Sequence, residues 1–182
     1  MLPPPAPLHL RPIALVGMMG AGKSSVGRRL AQRLGRSFID ADDAIELAAG
    51  MGIDTMFARH GEGPFRDGER RVIARLLNEG HGVLATGGGA FVQPDTRALL
   101  NEQSLTVWLD VPLDVLVERV SRRDHRPLLR GKDARTVLSD LLDKRRDAYA
   151  EAHVRVAAGE GPHGHTVGLI VTALRQLRAN AA

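Results

Sequence analysis

The stretch Gly17-Met18-Met19-Gly20-Ala21-Gly22-Lys23-Ser24 constrains this chain more than any other. It reads G-x-x-x-x-G-K-[ST], a pattern whose glycines let successive backbone N–H groups converge on a polyphosphate. Its flanks are the ones the pattern requires. Before it, Ile13-Ala14-Leu15-Val16 is a short apolar run of the kind that makes a buried parallel strand. After it, Val26, Leu30 and Leu34 recur at helical spacing, with Arg28, Arg29, Gln32 and Arg33 on the other faces. A helix starting here points its positive end at the same phosphates. An ordinary glycine-rich turn would account for the glycines but not for Lys-Ser in this register. Gly17, Met19, Gly20, Ala21, Gly22, Lys23, Ser24 and Ser25 are therefore the expected nucleotide contacts. Lys23 would reach the β- and γ-phosphates and the Ser24 hydroxyl would coordinate Mg²⁺.

The rest of the chain narrows the class. A length of 182 residues fits one domain with a core of useful size. No apolar run approaches a membrane span, and the N-terminus lacks a signal-peptide pattern. The absence of Cys excludes disulfides, thiolate catalysis and Cys-type zinc sites, and fits a cytoplasmic protein. The net charge of +4 raises the question of nucleic acid. Only six residues are Phe, Trp or Tyr, too few for a base-stacking platform, and the basic residues are scattered. They are mostly Arg, which suits bidentate capture of phosphates and carboxylates on small anionic substrates.

Residues 1–11 are Pro-rich without periodicity and read as an extended, flexible lead-in, followed by a single domain over 12–182. Ser37-Phe38-Ile39 reads as a second strand running into Asp40-Ala41-Asp42-Asp43, which places these acids beside the phosphate loop at a strand's carboxyl end. Helix capping explains one of them, with Asp43 the first candidate for that role. Ile53 to His60 reads as a short helix, and Gly61-Glu62-Gly63-Pro64 as a break before a longer one. On that longer helix Phe65, Glu69, Val72 and Ile73 share a face, so Glu69 approaches the core with Arg66 within reach as its partner. Val83 to Thr86 is the third strand and runs into Gly87-Gly88-Gly89, where a ligand can approach the backbone or the chain can turn tightly. The fourth strand, Leu105 to Asp110, also ends in an acid, so Asp110 rivals Asp40 as a metal-side carboxylate. A helix carrying Leu113, Leu116 and Val120 leads through Arg119, Arg122 and Arg123 into a polar, basic stretch. That stretch, about 121–134 and including Arg126, reads either as a lid or as a solvated loop. Ala134 to Ala150 is a long helix, Val154-Arg155-Val156 a short fifth strand, and Val167 to Leu177 an amphipathic final helix. His163 and His165 read as exposed residues of a Gly-rich loop.

Alternating strands and helices give an α/β fold with a parallel sheet. Taken together, G-M-M-G-A-G-K-S, D-A-D, G-E-G-P-F-R with Glu69 beyond it, T-G-G-G-A, R-P-L-L and K-R-R-D-A-Y resemble the shikimate kinases over nearly the whole chain from Ile13 onward. The resemblance implies a P-loop NTPase-like three-layer sandwich around a five-stranded parallel sheet of order 2-3-1-4-5, with a mobile lid. It implies transfer of a phosphoryl group from ATP, with Mg²⁺, to the 3-hydroxyl of shikimate, in the pathway to chorismate and aromatic amino acids. By motif match Asp42 would bind the hydroxyls and serve as base or orienting group. Arg66 and Arg145 would hold the substrate carboxylate, a task suited to guanidinium forks. Gly87, Gly88 and Gly89 would line the acceptor site with Phe65 and Glu69 bracing it. Asp40 would assist Mg²⁺ beside Ser24, Arg126 would be the lid cation, and Arg119 would pack on adenine. The family likeness also implies a monomer acting on small molecules, without nucleic acid or membrane. Two positions depart from the family pattern: His153 stands where relatives often have Asp, and the loop 157–164 lacks the basic residue that some members bring to adenine. The rival readings are another kinase of this fold, such as a gluconate kinase, and a non-catalytic nucleotide-binding module. The Arg66–Arg145 pair with D-A-D speaks against the first, and the presence of Lys23, Ser24, Asp42 and Arg126 against the second.

Overall fold

The computed structural model describes residues 6–80, 82–122, 133–159 and 161–180. The first strand, β1 (Ile13–Val16), is buried at every position and occupies the middle of the sheet. It pairs in parallel with β3 (Val83–Ala85) on one side and with β4 (Leu105–Asp110) on the other, Ile13 lying opposite both Val83 and Leu105. β2 (Phe38–Asp40) completes one edge beside β3, and β5 (Val154–Ala157) the other beside β4, giving the order β2-β3-β1-β4-β5. Strands covered on both faces read as apolar runs, and β1 and β3 do so without a break, while β4 is buried over its first five residues with Thr106 as the one polar exception. Because β1 connects outward to β2 while β4 lies on its opposite side, the order reverses at β1. The crevice beyond its carboxyl end is where this class of sheet binds ligands.

The helices follow from local chemistry. In α1 (Lys23–Leu34), Val26, Gly27, Leu30 and Ala31 form the buried stripe. At Gly27 a β-carbon would fall 2.4 Å from the Phe38 ring, so glycine is what lets this helix lie on β2. Gly35 ends α1 in the left-handed conformation with its N–H on the Ala31 and Gln32 carbonyls. Asp40 caps α2 (Ala41–Ala49), its carboxylate accepting from the Asp42 N–H at 3.1 Å. α3 (Ile53–His60) is followed by α4 (Glu62–Asn78), α5 (Pro94–Gln103), α6 (Leu113–Ser121), α7 (Ala134–Ala150) and α8 (His163–Ala179). The break expected over residues 61–64 shrinks to Gly61, at φ +78°, and α4 starts at Glu62. Pro64 is accommodated because N–H groups in the first helical turn have no intrahelical acceptor to lose.

Leu8–Leu10 form a single 3₁₀ turn, and Arg11 donates to the Asn101 and Glu102 carbonyls at 3.3 and 2.6 Å. Most of the expected lid, including Arg126, lies outside the described residues. His153, the departure noted above, joins the starts of two strands: its Nδ1 accepts from the Thr106 N–H at 3.1 Å, and its own N–H donates to Thr106 Oγ1 at 3.0 Å. No helix among the described residues is long and apolar enough to cross a membrane.

Burial decides which apolar residues matter to stability. Leu30 is fully buried whereas Leu47 is 86% exposed. Leu30→Ala is expected to cost about 2–5 kcal/mol, and Leu47→Ala less than about 0.5 kcal/mol, both read from urea unfolding midpoints.

Candidate functional site

The carboxyl ends of β1, β2 and β3 open onto a cavity of about 480 Å³. Phosphate-loop residues Met19, Gly20, Gly22, Lys23, Ser24 and Ser25 form one wall, and Asp40, Asp42, Thr86 and Gly88 the other. The loop's shape comes from glycine: Gly17, Gly20 and Gly22 all have positive φ, and Gly22 is the left-handed residue on which α1 starts. Lys23 Nζ curls back over the loop and donates to the Gly17 and Met18 carbonyls at 2.8 and 2.9 Å. Its charge thus stands over the concavity that the loop's amides create.

Ser24 Oγ donates to Asp40 Oδ2 at 2.5 Å. Asp110, the alternative acid, accepts from Arg155 Nε at 2.9 Å and Nη2 at 2.5 Å, with Arg146 at 3.9 Å, and lines a separate cavity. Asp42 lies in the first turn of α2, facing the same space as Asp40. Burial, then the neighbouring Asp40, raises the Asp42 pKa above its ordinary 3.8, while Lys23 pulls in the opposite direction.

The glycine run after β3 leaves room for the side chains packed against it. A β-carbon on Gly87 would sit 2.7 Å from an Asp42 carboxylate oxygen, and one on Gly89 2.3 Å from Arg66 Nη2. Arg66 reaches that place from α4 held on several sides: Nη1 donates to Glu69 Oε2 at 2.7 Å, Nη2 to Glu62 at 3.2 Å, and the guanidinium stands over the Phe65 ring at 5.2 Å. Glu69 is 1% exposed and Phe65 is buried, so both brace Arg66 from the core side. Burial raises the Glu69 pKa, with Arg66 opposing. From α7, Arg145 Nη1 donates to the Gly88 carbonyl at 3.2 Å. Arg66 and Arg145, about eighty residues apart in sequence, thus flank one glycine turn.

Arg119 closes the far side of the phosphate loop, donating to the Gly20 and Ala21 carbonyls at 3.3 Å and to Gly159 at 3.2 Å. Contrary to the sequence reading, His163 is not an exposed loop residue: it opens α8, is part-buried and lines the cavity against Gly22. The helix begins directly after Pro162, four residues before the first apolar position from which periodicity could detect it. His165 is exposed. Thr86, the first residue of T-G-G-G-A, also lines the cavity, as does Arg122, which no motif announced. Among the described residues no cluster of three or more His, Cys, Asp or Glu side chains could by itself hold a metal.

A phosphate loop, a part-buried carboxylate beside it and two guanidiniums across a glycine turn define a P-loop kinase of small, anionic acceptors. The comparisons narrow the class. The family model described as shikimate kinase matches residues 19–175. A shikimate kinase of Caulobacter vibrioides is 59% identical over 96% of this chain and 87% of its own length. One of Novosphingobium aromaticivorans is 52% identical over 91% of this chain and 88% of its own. Among solved structures, the shikimate kinase of Acinetobacter baumannii in complex with shikimate superposes with a TM-score of 0.87 at 38% identity, covering 92% of this chain and 94% of that one. The chain belongs to the shikimate kinase family. A gluconokinase of Sinorhizobium meliloti, at 22% identity and a TM-score of 0.67, shares the fold.

The Asp42 environment has a consequence for the ligand-free chain. A carboxyl whose folded pKa is raised stabilises the fold below its unfolded pKa, and that contribution is lost as pH climbs through the folded value. Asp42→Asn is therefore expected to raise Tm at neutral pH, with the gain shrinking as pH falls towards 4. A lower Tm for the variant at pH 7 would contradict the placement of a strained carboxylate here.

Proposed function

We propose that this chain transfers the γ-phosphoryl group of ATP to the 3-hydroxyl of shikimate. The observation that carries the reading is the meeting, on one cavity, of the phosphate loop, the part-buried Asp42 and Gly88, whose glycine turn is flanked by Arg66 and Arg145. The family's shikimate-bound relative supports the choice of acceptor.

Phosphoryl transfer asks a protein mainly for alignment and for positive charge around the moving group. Loop amides and Lys23 hold the β- and γ-phosphates. Arg66 and Arg145 take the acceptor's carboxylate, fixing the ring so that one hydroxyl faces the γ-phosphorus. Asp42 accepts a hydrogen bond from that hydroxyl and receives its proton as the oxygen bonds to phosphorus, while the bond to the β–γ bridging oxygen breaks and ADP departs. A raised pKa suits Asp42 to accept that proton. Ser24 and Asp40 are the residues that would hold Mg²⁺. Two adjoining hard oxygen donors fit an ion that takes its other ligands from phosphates and water. When bound, Mg²⁺ neutralises phosphate charge. Arg119 packs on adenine, and Arg126 from the lid adds a cation over the γ-phosphate. On the same reading the enzyme is a cytoplasmic monomer, as the family likeness implies.

ADP release with Mg-ATP should depend on shikimate, with gluconate and no acceptor as controls. Turnover on gluconate alone would discard the acceptor assignment, and ATP binding without turnover would favour the non-catalytic reading. Within the active enzyme, Arg66→Ala and Arg145→Ala should each raise KM for shikimate by about 10–100-fold while KM for ATP barely moves. Asp42→Asn should lower kcat by about 10²–10⁴. Equal movement of both KM values would remove the carboxylate clamp from the account.

A further inference from the structure

A buried phenol stands directly behind the glycine turn. Tyr149 is fully buried, stacked on Trp108 with ring centroids 5.9 Å apart. Its hydroxyl donates to the Gly88 carbonyl at 2.5 Å and touches Met18 Sδ of the phosphate loop at 3.8 Å. Burial pushes the phenol up from its ordinary value, with Arg145 and Arg66 opposing, so it stays a proton donor at working pH. Arg145 lies one helical turn earlier on the same face of α7 and donates to the same carbonyl at 3.2 Å. Gly88 in turn packs directly on the loop: a β-carbon there would stand 3.1 Å from the Met19 amide nitrogen.

One carbonyl thus has two donors, and on the proposed reading one of them is needed elsewhere when the acceptor arrives. We infer that Tyr149 is a positioning residue that keeps the Gly88 carbonyl satisfied and the glycine turn seated on the phosphate loop while Arg145 turns to the acceptor's carboxylate. A part-buried carbonyl left without a donor, in a site that closing on the acceptor would strip of water, costs about as much as a lost hydrogen bond. With Tyr149 in place, recruiting Arg145 does not incur that cost. The inference rests on the acceptor assignment of the preceding subsection, and its test is separable from it.

Tyr149→Phe removes one oxygen and keeps the ring against Trp108. In the free enzyme Arg145 still satisfies Gly88, so the variant should fold and bind ATP as before. Its penalty should appear on acceptor binding, as a rise of about tenfold in KM for shikimate with KM for ATP unchanged. In an Arg145→Ala background the carbonyl is already short of that donor in both states, so adding Tyr149→Phe should raise KM for shikimate much less than tenfold. A merely structural tyrosine would move both KM values together or act additively with Arg145→Ala, and either result, or failure of the variant to fold, overturns the inference. Absence of shikimate turnover in the unmodified chain, run in parallel, would instead count against the acceptor assignment.

Discussion

Asp40 and Asp42 stand two residues apart at the start of α2, on the wall of a cavity whose opposite wall is built to attract phosphate. Two carboxylates and a polyphosphate repel one another, and burial removes the water that would screen them. The local answers are specific. Asp40 is satisfied by the Ser24 hydroxyl and the Asp42 amide, and Lys23 supplies an opposing charge. What remains uncompensated in the ligand-free chain is the condition under which a cation, a nucleotide and an acceptor hydroxyl would each find a ready partner. The arrangement sacrifices stability for function, as active sites commonly do.

Close approach is the second half of the design. The glycine turn after β3 touches Asp42 through Gly87, the phosphate loop through Gly88 and Arg66 through Gly89. Asp42 follows β2 and the phosphate loop follows β1, and the parallel pairing of both strands with β3 brings them to the turn, whereas Arg66 arrives on α4. A side chain on the turn would displace the Asp42 carboxylate, the loop amide or the Arg66 guanidinium, in a reaction whose rate depends on their alignment. Arg66 and Arg145 gain their precision in the same way. Glu69 and the Phe65 ring hold the first, and the Gly88 carbonyl holds the second.

Much of this was legible in the residues. The glycine loop with Lys23-Ser24 announced both the phosphate site and the strand and helix around it, because backbone geometry and chemistry impose the same pattern there. Apolar runs gave the central strands, and helical spacing gave the buried face of α4 with Glu69 upon it. What periodicity left open was decided by three-dimensional neighbours. Asp40 and Asp110 both end a strand, and only the fold shows one beside Ser24 and the other ion-paired with Arg155. His163 escaped because a helix start after proline, with glycine in its first turn, carries no apolar repeat. Tyr149 ended a motif whose arginine drew attention first. Its contact with Gly88 spans 61 residues of sequence, a distance at which spacing is silent.

The most direct test of this account is a crystal structure of the chain with ADP and shikimate bound. The acceptor's carboxylate should lie between the Arg66 and Arg145 guanidiniums, its 3-hydroxyl within about 2.6–3.2 Å of an Asp42 oxygen, and Tyr149 should still hold the Gly88 carbonyl. Shikimate seated away from Asp42, or Arg145 remaining on Gly88 with the carboxylate held by other groups, would contradict it.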